Sequence, residues 1–170
     1  MELKLTRSTL RSLRAEDAVS LARYLNDKRV SRQLSDRYPH PYTLAHAQGF
    51  IAGVRTLEPP TCFAIAVGDC AVGVIGLDRQ SDVNRCSAEL GYWVGVDYWG
   101  QGIATEAIGA ISRWAMDALD LVRIFAQPYA DNVGSCRALE KAGFVQEGMM
   151  RCSAIKGGVI RDQRLYARLR

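Results

Sequence analysis

Within a few residues, Val96-Asp97-Tyr98-Trp99-Gly100-Gln101-Gly102-Ile103, the chain passes from a strand pattern to a helix pattern. Upstream, residues 88–96 read Ala-Glu-Leu-Gly-Tyr-Trp-Val-Gly-Val. Apolar residues on both parities suit a strand buried on two faces, which makes Glu89 conspicuous. Downstream, residues 102–117 place Ala104, Ala107, Ile108, Ile111 and Ala115 on one helical face. Two glycines let the backbone turn tightly between them, and the turn aims the first N–H groups of the helix and the positive end of its dipole at one point. A pyrophosphate suits that point. Its donors would be the backbone groups of Gln101, Gly102, Ile103, Ala104 and Thr105. A turn that binds nothing carries the same pattern, and this segment alone does not separate the two.

Two other anion-binding loops are poor matches. A P-loop needs G-x-x-x-x-G-K-[ST], a run the chain lacks. A dinucleotide fingerprint needs G-x-G-x-x-G in the first βαβ unit, whereas here Thr105 holds the third glycine position and the loop falls past mid-chain.

Around this loop the patterning predicts an α/β domain with a mixed sheet. A short strand at residues 10–13 precedes a helix over 15–26. The Pro39 and Pro41 stretch cannot be helical, and Thr43 caps a helix running to about Arg55. Residues 62–67 and 71–77 read as a hairpin turning at Gly68-Asp69, and a strand over 122–127 follows the helix after the loop. A helix over 135–142 is stopped by Gly143, and two last strands join through Lys156-Gly157-Gly158. The strands before and after the Gly102 helix should be parallel, joined by a right-handed crossover.

The chain has 170 residues, enough for one domain over residues 1–170, and no linker or repeat divides it. Apolar residues make up 48% and charged residues 24%, the balance of a globular protein. No stretch approaches the roughly 20 apolar residues of a membrane span. The start lacks the apolar segment of a secretory signal, so a cytoplasmic location is expected. Five scattered cysteines without a C-x-x-C pair suggest neither a disulfide framework nor a zinc site. With only His40 and His46 as histidines, no metal is expected. A dispersed net charge of +4 does not point to nucleic acid, though it would suit an anionic cofactor.

Gly100-Gln101-Gly102-Ile103-Ala104 resembles the acetyl-CoA-binding motif of the GNAT acyltransferases. The surrounding residues are similar to the branch that acetylates the N-termini of ribosomal proteins. The resemblance covers nearly the whole chain, in order and spacing: Pro41-Tyr42-Thr43-Leu44, Gly73-Val74-Ile75-Gly76-Leu77, Glu89-Leu90-Gly91-Tyr92-Trp93-Val94, Tyr98 to Ala107, Asn132-x-x-Ser135, and Leu139-Glu140-Lys141-x-Gly143-Phe144. The family pattern often has Arg or Gln where Trp99 stands, a departure of little weight because backbone groups do the holding. The resemblance implies a GNAT fold, a mostly antiparallel sheet with a central parallel pair flanked by helices. It also implies acetyl transfer from acetyl-CoA to an amine in a ternary complex.

It further implies roles. The backbone of Trp93, Val94 and Val96 would pair with the pantetheine amides like an added strand. Asn132 would hydrogen-bond the pantetheine arm, although Asp131-Asn132 also reads as a turn or cap. Arg137 would reach the CoA phosphates or face water. Glu89 aligns with the family's general base, and a buried structural carboxylate is the alternative. Leu139 stands where many members carry a tyrosine acid, which shifts that role to Ser135, itself also readable as a helix cap. Tyr38, His40 and Tyr42 would border the acceptor pocket. A peptide or protein N-terminus is the leading acceptor, with a polyamine, amino acid or antibiotic amine behind it and a non-catalytic acyl-CoA sensor as the reading from another class. Homodimers occur among similar proteins, and no segment of the sequence marks an interface.

Overall fold

The structure is a computed structural model and describes residues 2–170. The chain opens with strands β1 (Glu2–Lys4) and β2 (Thr9–Arg11), followed by helices α1 (Ala18–Leu25), α2 (Lys28–Ser31) and α3 (Leu44–Val54). Strands β3 (Cys62–Val67), β4 (Cys70–Arg79) and β5 (Ser87–Val94) lead into helix α4 (Ile103–Ala118). Strand β6 (Arg123–Ala126), helix α5 (Val133–Lys141) and strands β7 (Val145–Lys156) and β8 (Val159–Leu169) complete it. The strands form one mixed sheet in the order β1-β2-β3-β4-β5-β6-β8-β7. β5 and β6, the strands on either side of α4, are parallel and register Ser87 with Arg123, Ala88 with Ile124 and Glu89 with Phe125.

By its internal contacts the chain divides into two compact units, Met1–Gly76 with Tyr92–Ala107, and Leu77–Gly91 with Ile108–Arg170. In the first, Leu10, Leu21, Phe63, Ile65, Val72 and Ile75 are fully buried. The β3-β4 hairpin turns at Gly68, whose φ of +57° suits glycine. Thr43 caps α3: its hydroxyl accepts from the His46 N–H at 3.2 Å while His46 Nδ1 accepts from the Thr43 N–H at 3.1 Å. Arg11 and Asp17, each 5% exposed, form a two-bonded ion pair at 2.8 Å. Arg11 also donates to the Asp69 carbonyl and Asp17 accepts from the Arg14 N–H, so neither charge is buried without partners.

In the second unit Ile111, Leu121, Ile124, Leu139 and Tyr166 make the core. Helix α5 ends where the sequence places its stop. Gly143 takes φ +88°, its N–H donates to Glu140 O, and the Phe144 N–H donates to Leu139 O, the paired bonds of a Schellman end. The β7-β8 hairpin turns on Gly157 and Gly158, both at positive φ. A bulge in β7 between Met150 and Ala154 sets Cys152 at φ +53°, with its N–H held by Asp162 Oδ1. All five cysteines are free thiols.

The differences from the sequence expectation are short elements and ends. β1 and α2, of three and four residues, are too brief to show a period. α5 begins at Val133 rather than Ser135 because Asn132 takes the cap.

Candidate active site

The glycine turn is built as a sequence of hydrogen bonds at the end of β5. The Gly95 N–H donates to Val72 O at 2.8 Å, the last bond before the chain leaves the sheet. Residues Val96–Tyr98 then form a single 3-10 turn, closed by the Trp99 N–H on Val96 O. Strand β5 therefore ends at Val94, two residues earlier than the apolar run suggests, and Val96 lies on the turn rather than on the strand. A Cβ on Gly95 would come within 2.6 Å of the Tyr24 ring, which accounts for the glycine there; that ring packs edge-on against Tyr98 at 6.0 Å. The Trp99 indole N–H donates back to Val94 O at 2.7 Å and staples the turn to the strand.

Gly100 and Gly102 take φ +75° and +80°, conformations that cost other L-residues free energy. No atom lies within 4 Å of a Cβ placed on Gly100. Backbone conformation, and the open space it leaves, accounts for that glycine. Helix α4 starts at once, with the Glu106 N–H donating to Gly102 O at 3.0 Å. The N–H groups of Ile103, Ala104 and Thr105 precede this first helical bond and point away from the helix. The Ile103 side chain is buried at 3% exposure and fixes the first turn, while the Gln101 side chain is exposed and donates to Asp97 O. Trp93 and Val94 bury their side chains, at 5% and 6% exposure. Behind them, a Cβ on Gly73 would come within 2.3 Å of Trp93 O, so β4 and β5 approach closely here.

In the same unit, Tyr38 and Tyr42 come together with ring centroids 6.3 Å apart, and Tyr38 also meets Phe50 at 6.1 Å. Tyr42 is 3% exposed, with its backbone N–H and C=O held by the Asn26 side chain, and burial pushes its phenol pKa up. Its contribution is packing beneath Tyr38, which is half-buried. His40 is exposed.

In the second unit, Glu89 is half-buried at the last registered pair of the parallel strands. Asn132 is the N-cap of α5, its Oδ1 accepting from the Ser135 N–H at 3.2 Å. Ser135 sits in the first turn as the capped residue, and the cap reading passes to Asn132. Arg137 is exposed on α5, and Leu139 is fully buried. The approach to Asn132 is strapped to β8. Gln163 Nε2 donates to Gln127 O, the Arg164 N–H to Pro128 O, and the Ala130 N–H to Asp162 O. The Arg161 guanidinium lies 3.7 Å from the Tyr129 ring centre and pairs with Asp131. No sequence period reveals this strap, nor the Trp99 staple, because both join residues by side chains or across distant segments. Among the described residues no cluster of His, Cys, Asp and Glu is placed to hold a metal, and no helix is long and apolar enough to cross a membrane.

Comparison with known proteins bears on the family and the fold. The family model of the acetyltransferase (GNAT) domain matches residues 7–145. An uncharacterised N-acetyltransferase, p20, of Bacillus licheniformis is 30% identical over 151 residues, covering 85% of this chain and 83% of its own. The ribosomal-protein-serine acetyltransferase of Escherichia coli is 31% identical over 107 residues, covering 63% of this chain and 59% of its own. Among solved structures, a RimL ribosomal L7/L12 α-N-protein acetyltransferase in complex with coenzyme A superposes with a TM-score of 0.87 at 22% identity, covering 99% of this chain and 98% of that one.

Proposed function

The chain belongs to the GNAT acetyltransferase domain family, as an acetyl-CoA-dependent N-acetyltransferase, and from that premise we propose that its acceptor is the α-amine of a peptide or protein, handled by a single domain over residues 1–170. The residues present fit the donor. Gly100 and Gly102 hold a turn clear of side chains, and the N–H groups of Ile103, Ala104 and Thr105 offer a cradle for a diphosphate. Trp93 and Val94 offer strand backbone to the pantetheine amides, with Val94 O already taken by Trp99. The Oδ1 of Asn132 caps α5, so its Nδ2 is the group that donates to the pantetheine arm. Val96 and Gln101 flank the turn, and Arg137 extends from α5 toward solvent and the CoA phosphates.

Bound acetyl-CoA supplies an acyl thioester. The chain must supply an uncharged amine, acyl orientation and a hydrogen-bond donor for the departing sulfur. Glu89 takes the proton of the amine, directly or through water. Ser135 Oγ donates to the sulfur, the role for which buried Leu139 has no group. Tyr38, seated on Tyr42, and exposed His40 border the acceptor.

An α-amine suits this modest machinery. With a pKa near 8 it costs about 1 kcal/mol to deprotonate at pH 7, against roughly 4 to 5 kcal/mol for a lysine. The likeness to a ribosomal-protein-serine acetyltransferase carries the choice of acceptor. The test follows CoA thiol release from acetyl-CoA across peptides with varied N-termini and a set of polyamines, amino acids and antibiotic amines. Turnover with peptides above all small amines is expected, and turnover confined to small amines would reject the assignment.

A further inference from the structure

Arg7 lies 99 residues before Glu106 in the chain yet closes against the glycine turn. Its guanidinium pairs with Glu106 in the first turn of α4, and its backbone N–H donates to the other carboxylate oxygen at 3.1 Å. A Cβ built on Gly102 would sit 3.7 Å from Arg7 Nε and 3.8 Å from its Cζ, so the guanidinium flanks the backbone that opens the helix. The Leu5 N–H to Ser8 O bond, at 2.8 Å, closes a turn around this residue. Nη1 is used on Glu106, while Nε and Nη2 make no hydrogen bond among the described residues, and the side chain is 52% exposed. Ser8, next in the chain, is 6% exposed, and its hydroxyl has no partner among the described residues. Glu106, for its part, puts a carboxylate in the helix turn that would have to receive an anion. An unpaired negative charge there would oppose a phosphate.

We infer that Arg7 is a side-chain ligand for the diphosphate of the acyl donor, cancelling the charge of Glu106 and presenting its Nε and Nη2 donors at the start of α4. This rests on the acetyl-CoA reading of the turn. Guanidinium is suited to the task because its planar fork serves a carboxylate and a phosphate at once. The backbone N–H groups supply shape and dipole. Arg7 supplies the one formal positive charge that the turn itself lacks.

The experiment measures CoA and dephospho-CoA binding by calorimetry to the whole chain and to its Arg7→Gln, Glu106→Gln and doubly substituted forms, with thermal unfolding alongside. Loss of the guanidinium should weaken CoA binding roughly ten- to hundredfold, the scale of a charge-assisted bond, with a shallower salt dependence. Dephospho-CoA should lose as much, because the contact is to the diphosphate. Glu106→Gln alone should bind CoA at least as tightly as the parent, and Arg7→Gln should remain harmful in that background. Four results would overturn the inference: unchanged CoA affinity in Arg7→Gln, a loss for CoA absent with dephospho-CoA, equal weakening by Glu106→Gln, or full recovery in the double variant. The last two would make the pair a structural brace. A parent protein that binds no CoA would instead remove the acetyl-CoA reading itself, and Arg7's role with it.

Discussion

Glu89 and Ser135 are assigned chemistry on different physical grounds, and substitution separates them. A carboxylate on a sheet strand can be a structural ion or a base, and the two differ in pH dependence. If Glu89 removes the amine proton, Glu89→Gln should lower kcat about a hundredfold near pH 7, and the deficit should shrink as pH rises past 8, where an α-amine loses its proton unaided. A structural carboxylate would give a loss that does not vary with pH. Ser135→Ala should lower kcat about tenfold with little change in the KM for acetyl-CoA, because a bond to the departing sulfur matters most in the transition state. Initial rates across pH for both variants check the pair. At this scale the sequence was legible where a residue's alternative was a cap. Asn132 and Ser135 competed for one N-cap, and the hydrogen bond gives it to Asn132. Arg7 was not legible, since its partner Glu106 is remote in sequence and shares no pattern with it.

Element ends set by a cap or a glycine stop were readable. α3 starts after Thr43 and α5 stops at Gly143 because a single local bond or a single φ decides each end. The end of β5 was not, because Trp93-Val94-Gly95-Val96 carries no polar residue to mark it, and the bonds that close the turn, the Trp99 N–H on Val96 O and the Trp99 indole on Val94 O, follow no period. The close approach of β4 and β5 leads to a prediction at this scale. Alanine at Gly73 would place its Cβ 2.3 Å from Trp93 O, backbone that cannot rotate aside. Gly73→Ala should destabilise the fold by about 1 to 3 kcal/mol and, by displacing Trp93 and Val94, raise the KM for acetyl-CoA. Thermal unfolding and CoA binding measure both effects. Gly91→Ala, on β5 with no positive φ and nothing within 4 Å, is the control for replacing a strand glycine without a clash.

For the molecule as a whole, stability should fall on the alkaline side. Burial pushes the Tyr24 phenol up to about 12, with help from Tyr98, and burial with the Glu140 hydrogen bond at 2.8 Å does the same for Tyr166. The ordinary value is 10.0, so the folded state holds the neutral phenols more firmly than the unfolded chain. Their contribution is complete below pH 10 and is lost as pH rises through 12, on the order of 2 kcal/mol for each residue. Denaturant midpoints between pH 9 and 12 should fall, and Tyr166→Phe should flatten that fall. The fold was legible at this scale because six motifs lie in family order along the chain, each tied to a turn, cap or strand the backbone requires. The acceptor was less so: it depends on a few side chains such as Tyr38 and His40 in a proline-bounded loop, where neither periodicity nor spacing constrains identity. The most direct test of the central claim is the mass and fragmentation of a peptide that carries both a free N-terminus and a lysine, after incubation with the protein and acetyl-CoA. One acetyl group on the α-amine is the predicted result, and acetylation of the lysine, or none while small amines are turned over, would contradict it.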